Sequence, residues 1–218
     1  MKTINSAIGS NLVMGLDVST KTIGIALFND LGKEGKLKML HHVTPKIKPL
    51  PKNKTQVLFE KVRVFEEFLK KYIDIGIDRV IIEEPLLRSN NVRTVEVLLR
   101  FNGMISRSVY EILGVVPEFI SSYDARKFGF PDLMEIRKTK RNGQAYTEKE
   151  ISKKNPVLFG GYPYNIDKKE VILEKVSDIE PQITWIYDKK KKLAKESFDM
   201  ADSYTCVRGY MRKEGFWL

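Results

Sequence analysis

Short apolar runs and amphipathic stretches alternate along most of the chain. Five runs of apolar and β-branched residues predict β-strands, at Leu12–Asp17, Thr22–Phe28, Lys36–His42, Asp78–Glu83 and Val115–Ser121. Only four residues separate the first two runs, so we expect an antiparallel hairpin. Long amphipathic stretches separate the later runs, which is typical of parallel strands joined by helical crossovers.

Helical spacing of apolar residues predicts four helices, at Gln56–Tyr72, Arg93–Leu113, Lys168–Val176 and Ser197–Met211. Ser197 is the candidate N-cap of the last helix. Gly103 falls inside the second helix, where glycine costs about 1 kcal/mol relative to alanine, and it therefore indicates close packing. Ile183–Tyr187 is compatible with a further strand. Together these elements predict an α/β fold: a mixed five-stranded sheet, three strands antiparallel and the rest parallel, with helices on both faces.

The segment Pro131–Pro163 has little periodicity and contains many breakers of helices and strands. We interpret it as a basic, irregular insertion or mobile lobe at about residues 131–163, and not as a second core. A chain of 218 residues is long enough for a well-packed core. We therefore expect a single domain over 1–218 that carries this insertion.

The formal net charge is +10, and the excess is concentrated between Arg126 and Lys195, where 17 Lys and Arg stand against 10 Asp and Glu. Such an excess favours a polyanionic partner, nucleic acid first, although a run such as Lys189–Lys192 also fits a solvated surface. The single cysteine, Cys206, excludes a disulfide framework and a Cys-based zinc site. No signal peptide is visible, and no apolar run approaches the roughly 20 residues of a membrane helix. We expect a soluble, intracellular protein without a membrane partner.

Four acidic residues stand where a sheet edge and a helix can bring them together. Asp17 ends the first predicted strand, and Glu83 ends the fourth. Asp199 and Asp202 lie three residues apart, on one face of the terminal helix. If that helix packs across the sheet near strands one and four, all four carboxylates converge. Glu84 is an alternative to Glu83, but we favour Glu83 because it continues the strand proper while Glu84 follows its end.

Converging carboxylates need a cation, because like charges that close cannot all remain ionised alone. An all-oxygen donor set without His or Cys favours Mg²⁺, with Mn²⁺ as a substitute. Two such ions suit the hydrolysis of a phosphodiester. Each acid also has an ordinary structural explanation: Asp17 as a turn former, for example, or Asp199 as a complement to the helix dipole. His41 and His42 lie on a predicted strand, and we interpret them as structural.

Four stretches carry a resemblance to a known family: Gly15–Leu27 (GLDVSTKTIGIAL), Val80–Asn91 (VIIEEPLLRSNN), Arg93–Leu113 and Phe198–Tyr210 (FDMADSYTCVRGY). In this order they resemble the RuvC-type Holliday-junction resolvases of the RNase H-like superfamily, especially those of phages and viruses. The resemblance covers nearly the whole chain apart from Pro131–Pro163, and it implies an RNase H-like fold. That segment is longer and more basic than in bacterial RuvC, so we expect a wider range of branched DNA substrates.

The resemblance implies a Mg²⁺-dependent endodeoxyribonuclease that resolves four-way DNA junctions in recombination and repair. Carried over by motif position, the acidic tetrad that holds the two ions is Asp17, Glu83, Asp199 and Asp202. Members of the family act as homodimers, with the helix Arg93–Leu113 as the expected interface here. A phage or viral member would work in the cytoplasm or at the site of viral DNA replication.

The resemblance also implies lysines that contact DNA near the scissile phosphate. The stretch DARKFGF supplies Lys127, and the stretch DKKEV supplies Lys168 or Lys169. These transfers rest on shorter matches than those of the four acids.

Three other interpretations stay open. The hairpin Gly15–Leu27 also resembles nucleases of the YqgF type, and the same carboxylates would serve an RNase H, so the substrate could contain RNA. A non-catalytic nucleic-acid-binding module explains the basic charge, but it gains nothing from carboxylates beside phosphates. Sugar kinases and actin-like ATPases share a similar first hairpin, but they need a duplicated domain, for which 218 residues leave no room.

Overall fold

The computed structural model describes residues 11–85 and 91–218, so residues 86–90 of the motif Val80–Asn91 lie outside the described residues. The strands of its main sheet are β1 (Leu12–Val18), β2 (Ile23–Asp30), β3 (Gly35–Val43), β4 (Arg79–Glu83) and β5 (Glu118–Ile120). They lie in the order β3-β2-β1-β4-β5. β1 is antiparallel to β2, β2 is antiparallel to β3, and β1, β4 and β5 are mutually parallel. This confirms the mixed sheet predicted from the sequence.

The α-helices of the described ranges are α1 (Lys54–Leu69), α2 (Val92–Leu113), α3 (Ser122–Gly129), α4 (Glu148–Ile151), α5 (Lys168–Ile179) and α6 (Lys195–Lys213). The sequence pattern does not predict α3, because eight residues are too few to show a helical period. Its N-cap is Ser121, whose Oγ accepts a hydrogen bond from the Asp124 amide at 3.1 Å. Across residues 11–85 and 91–218, no helix is long and apolar enough to cross a membrane.

The start of α6 differs from the prediction. The helix begins at Lys195, so Ser197 is not its N-cap. Ser197 is fully buried instead, and its hydroxyl donates to the Ile186 carbonyl at 2.9 Å and accepts from the Ile186 amide at 2.8 Å. These bonds tie the stretch before α6 to the helix. The predicted strand in this stretch is wrong, since only an isolated bridge between Tyr187 and Leu193 forms there.

A hydrophobic core lies on each face of the sheet. Because side chains alternate along β1, Val13 belongs to one core and Met14 to the other. Helices α1 and α2 cover the Met14 face with side chains such as Phe65 and Phe101. Helices α5 and α6 cover the opposite face, where Val207 is fully buried. The sheet is therefore covered by helices on both faces, as predicted.

Helix α6 lies directly against β1 and β2 because two glycines leave room for it. A Cβ at Gly15 would come 2.4 Å from the carbonyl oxygen of Ser203, and a Cβ at Gly24 would come 1.9 Å from the carbonyl oxygen of Asp199. Only glycine permits so close an approach. This packing sets the acidic face of α6 over the end of β1.

Gly103 does not have the close packing that its position inside α2 indicated. A Cβ at Gly103 would meet no atom of the described residues within 4 Å, and the residue is exposed. The inference from the sequence is therefore wrong, because no contact within the described ranges offsets the helix-propensity cost of the glycine.

The segment Pro131–Pro163 is anchored near both ends. A two-stranded sheet joins β6 (Met134–Glu135) to β7 (Val157–Leu158), which run antiparallel. Leu133 and Phe159 are each 1% exposed and belong to the core covered by α5 and α6. The ends of the segment therefore share the core of the rest of the chain.

Candidate active site

A pocket of about 340 Å³ opens at the carboxyl ends of β1 and β4, next to the first turns of α6. Its charged lining combines acids with three bases: Asp17, Glu83, Glu84, Asp199, Asp202, Arg126, Lys169 and Lys195. All four carboxylates that the sequence predicts to converge therefore line one pocket. They come from three segments that are far apart in the chain.

Asp17 and Glu83 are neighbours because of the register between two parallel strands. Leu16 of β1 pairs with Ile82 of β4, so the next residue on each strand is one of the two acids. The charge of Glu83 is the strongest electrostatic influence on Asp17. Glu84 also lines the pocket but is exposed, and its backbone amide bonds the carbonyl of Ile120 at 2.8 Å. Glu83 is thus the member of the pair that lies within the acidic cluster.

The two aspartates of α6 are almost completely buried, with 2% of Asp199 and 4% of Asp202 exposed. Each is paired with a cation. Lys169 Nζ lies 2.6 Å from Asp202 Oδ2, and Arg126 Nη2 lies 3.2 Å from Asp202 Oδ1. Lys195 Nζ lies 3.0 Å from Asp199 Oδ2, one helical turn away. Helices α3, α5 and α6 therefore meet at Asp202.

The cluster carries more negative charge than its cations neutralise. Burial, and then the charges of Glu83 and the two α6 aspartates, raise the pKa of Asp17 well above its ordinary value. Burial, and then the charge of Asp202, raise the pKa of Glu83 to about 7. Burial also raises the pKa of Asp199, although Lys195 opposes the effect. Binding of a cation would relieve this repulsion.

The acidic cluster stabilises the charged form of Lys169. Burial lowers the pKa of Lys169, but the charge of Asp202 and its hydrogen bond outweigh burial and raise the pKa above its ordinary value. The amine therefore stays charged beside the acids.

The predicted DNA-contacting lysines divide into one inside the pocket and two outside its lining. Lys169 is inside. Lys127 Nζ lies 5.1 Å from the centroid of the Phe128 ring, and Lys168 Nζ lies 5.8 Å from that of Phe159. A role of Lys127 and Lys168 in binding DNA remains a prediction.

Two bases of the pocket were not predicted from the sequence. Arg126 directly precedes the predicted Lys127, and the helix α3 that turns it inward leaves little periodic signal. Lys195 stands four residues before Asp199, a spacing that pairs opposite charges on a helix and could have indicated it. Its Nζ also lies 3.1 Å from Ser19 Oγ, so it links α6 to the β1–β2 turn.

The two histidines of β3 do not line the pocket. The His41 ring stacks on Phe68 with centroids 5.7 Å apart, and His42 Nδ1 lies 3.1 Å from Thr44 Oγ1. Both contacts fit the structural role predicted for these residues.

The pocket suits a hard divalent cation by donor type, since its acidic lining offers carboxylate oxygens and its acids repel one another. The oxygens are not gathered around a single point. In the part of the chain that the structure describes, no group of three or more His, Cys, Asp or Glu side chains has metal-binding geometry. The α6 aspartates are instead turned toward side-chain cations.

No protein-family model matches the chain, and no curated protein sequence is significantly similar to it. The fold is similar to that of Thermus thermophilus RuvC in complex with a Holliday junction substrate, with 12% identity, a TM-score of 0.55 and coverage of 94% of this chain and 96% of that one. A second structure of Thermus thermophilus RuvC gives 15% identity, a TM-score of 0.50 and coverage of 93% and 96%. The fowlpox virus Holliday junction resolvase gives 14% identity, a TM-score of 0.43 and coverage of 93% and 99%. The similarity to the two Thermus thermophilus structures shows that the chain has the RNase H-like fold of RuvC, as its sequence motifs predict.

Proposed function

We propose that the protein is a structure-selective endonuclease that resolves four-way DNA junctions by metal-dependent hydrolysis of a phosphodiester. One observation carries the proposal: acids from β1, β4 and α6 meet in a single pocket at the edge of a RuvC-like sheet. A module that only binds nucleic acid has no use for four carboxylates beside a phosphate.

In this proposal Asp17, Glu83, Asp199 and Asp202 hold divalent metal. Two Mg²⁺ ions, or Mn²⁺ in their place, would supply Lewis-acid chemistry at the scissile phosphodiester. Lys169, Lys195 and Arg126 already lie against the α6 aspartates. Once metal neutralises those aspartates, the three cations are placed to hold phosphate oxygens of the strand that is cut.

DNA is the proposed substrate because the three bases of the pocket come from the most basic part of the chain. The bases Arg126, Lys169 and Lys195 all belong to it. The similar Thermus thermophilus RuvC is bound to a Holliday junction substrate in one structure, which favours a four-way junction over linear duplex.

A homodimer fits this substrate, since two sites related by a two-fold axis can cut two strands of a symmetric junction. The proposed interface is α2, where large apolar side chains remain exposed in the single chain. Val92 is 78%, Leu99 is 43% and Tyr110 is 56% exposed, and their spacing places all three on one face of the helix. Apolar surface of this kind favours burial against a second copy.

The test is cleavage of a labelled four-way junction in Mg²⁺, beside linear duplex, a splayed fork and an RNA–DNA hybrid. EDTA and Asp17→Asn should each abolish cutting, while Asp17→Asn keeps or tightens junction binding because it removes a negative charge. Asp74→Asn is the matched control, since Asp74 is exposed and outside the pocket. Paired symmetric nicks across the junction are the expected product.

Each other outcome points to a different function. Cutting of the hybrid alone would assign the pocket to an RNase H-like or YqgF-like activity. Tight junction binding without any cutting would leave a binding module, and it would make the proposed role of the four acids wrong.

A further inference from the structure

A second pocket, of about 690 Å³, is lined by the inserted segment and by the two residues that follow it, Tyr164 and Asn165, and it shares no lining residue with the carboxylate pocket. We call it the insertion pocket. Residues 138–141 and 143 form one wall, residues 160–165 form the other, and Glu135 completes the lining.

Both walls of the insertion pocket are held in place by hydrogen bonds. The first wall belongs to a closed loop, in which Thr139 bridges to Ala145 and the Tyr146 amide donates to the Lys138 carbonyl at 2.8 Å. Arg137 holds the second wall, because its guanidinium donates to the carbonyls of residues 159 and 162, each at 2.8 Å. The pocket is therefore a formed part of the fold.

The lining is basic, with Lys138, Lys140 and Arg141 against Glu135. Lys140 pairs with Glu150 at 3.0 Å. Among the described residues, neither Lys138 nor Arg141 has an acidic partner within ion-pair distance. Two cations without acidic partners in a concave site suit a phosphate group.

An aromatic ring, that of Tyr164, lines the same pocket as Lys138 and Arg141. The Arg137 guanidinium carbon is 4.2 Å from the ring centroid of Tyr164, which fixes the ring, and Tyr164 is still 46% exposed. A fixed, accessible ring next to cations is the combination by which proteins bind unpaired nucleotides: the base stacks and the phosphate pairs with the cations.

The insertion pocket is connected to the carboxylate pocket through the N-terminus of α5. Asn165 of its lining precedes Lys169 by only four residues. Between them, Asp167 caps α5 by accepting a hydrogen bond from the Lys169 amide at 2.9 Å. The two pockets are therefore neighbours along the chain, on either side of the first residues of α5.

We propose that the insertion pocket binds one unpaired nucleotide of the DNA substrate, with its phosphate at Lys138 and Arg141 and its base on Tyr164. The proposal rests on the proposed nuclease function and adds to it a preference for branched DNA with a single-stranded tail. A volume of about 690 Å³ suits one nucleotide and not a duplex arm.

The test compares the Kd of a fork with a single-stranded tail to that of the same fork with the tail annealed, by fluorescence anisotropy in EDTA. The tail preference is the Kd of the annealed fork divided by the Kd of the tailed fork. The double variant Lys138→Ala/Arg141→Ala should lower it about tenfold, because two phosphate contacts are lost. Tyr164→Leu should lower it about fivefold, and Tyr164→Phe should leave it unchanged because the stacking face remains.

A matched control is Lys33→Ala/Lys36→Ala, which removes the same charge from two exposed residues. Lys33 lies in the β2–β3 turn and Lys36 at the start of β3. This is the end of the sheet opposite to Asp17, because Leu12 and Lys36 both pair with Asn29. This variant should bind both forks with the wild-type ratio.

Three results would separate the possibilities. An unchanged ratio in both pocket variants would overturn the proposal, and if both forks lost affinity equally, the residues would contact the duplex. If free dAMP or inorganic phosphate bound at Lys138 and Arg141 without any tail preference, the site would serve a free anion and not DNA. If the variants lost the tail preference but the wild type cut nothing in Mg²⁺, the nucleotide site would stand and the nuclease function would fail.

Discussion

The amine of Lys169 lies 2.6 Å from Oδ2 of Asp202, and the pair joins the N-terminus of α5 to the acidic face of α6. The other oxygen of Asp202 accepts from Arg126 of α3. A carboxylate that is 4% exposed thus has both oxygens taken by cations. Metal would compete with Lys169 and Arg126 for Asp202, and the cations that it displaces would become available to DNA phosphate.

This relationship predicts different effects for two adjacent lysines. Lys169→Met should slow junction cleavage by about 10- to 100-fold, because one hydrogen bond to a charged phosphate is lost. Lys168→Met should have a much smaller effect, since Lys168 lies over the Phe159 ring outside the pocket lining. Single-turnover cleavage rates measure the difference. Equal rates for the two variants would contradict a role of Lys169 in cleavage that Lys168 does not share.

A second pair of variants tests the choice between Glu83 and Glu84. Glu83→Gln should abolish cleavage, because Glu83 lies beside Asp17 in the buried cluster. Glu84→Gln should retain most of the activity, because Glu84 is exposed at the rim. The measurement is junction cleavage across a Mg²⁺ titration, with circular dichroism to show that both variants fold. Loss of activity in Glu84→Gln alone would assign the role to Glu84.

The raised pKa values predict how stability depends on pH without metal. The pKa of Glu83 is about 7 in the folded chain and 4.5 ordinarily, so the folded state binds more protons than the unfolded state between these values. Stability should therefore fall as the pH rises from about 4.5 to 7. Asp17 acts in the same direction, since its pKa is also raised.

Thermal unfolding in EDTA from pH 4.5 to 8 checks this dependence. Glu83→Gln should flatten the decline in Tm, because the substituted group does not titrate. Addition of Mg²⁺ at pH 7.5 should raise the Tm of the wild type, since a ligand of the folded state stabilises it. A Tm that rises steadily through this pH range would contradict the electrostatic account of the pocket.

Much of the sheet could be predicted from the sequence because its strands are short apolar runs with clear ends. The position of Asp17 and Glu83 followed from the same signal, since both acids end such runs. The cations could not be placed in this way. Whether Arg126 or Lys127 faces the acids depends on the rotation of α3, which eight residues leave unspecified.

Contacts over long sequence distances account for the other differences. Ser197 has a residue type typical of N-caps, but burial against Ile186 uses its hydroxyl differently. The surroundings of Gly24 and Gly103 could not be predicted from the sequence either. The sequence around Gly24 contains no sign that a helix 175 residues later lies on it, whereas a Cβ at Gly103 would have no neighbour within 4 Å among the described residues.

These two glycines predict opposite effects of the same substitution. Gly24→Ala should destabilise the protein by about 1–3 kcal/mol or more and abolish cleavage, because its Cβ would lie 1.9 Å from the Asp199 carbonyl oxygen and push α6 off the sheet. Gly103→Ala should stabilise the protein by about 0.5–1 kcal/mol, because alanine favours the helix and meets no neighbour in the described chain. Urea unfolding gives both free energies, and cleavage by Gly103→Ala serves as the activity control. If light scattering showed that the wild type self-associates and that Gly103→Ala weakens this association while the monomer gains stability, a second copy would be packed against that face of α2. A stable, active Gly24→Ala protein would show that the contact between β2 and α6 does not set the position of Asp199.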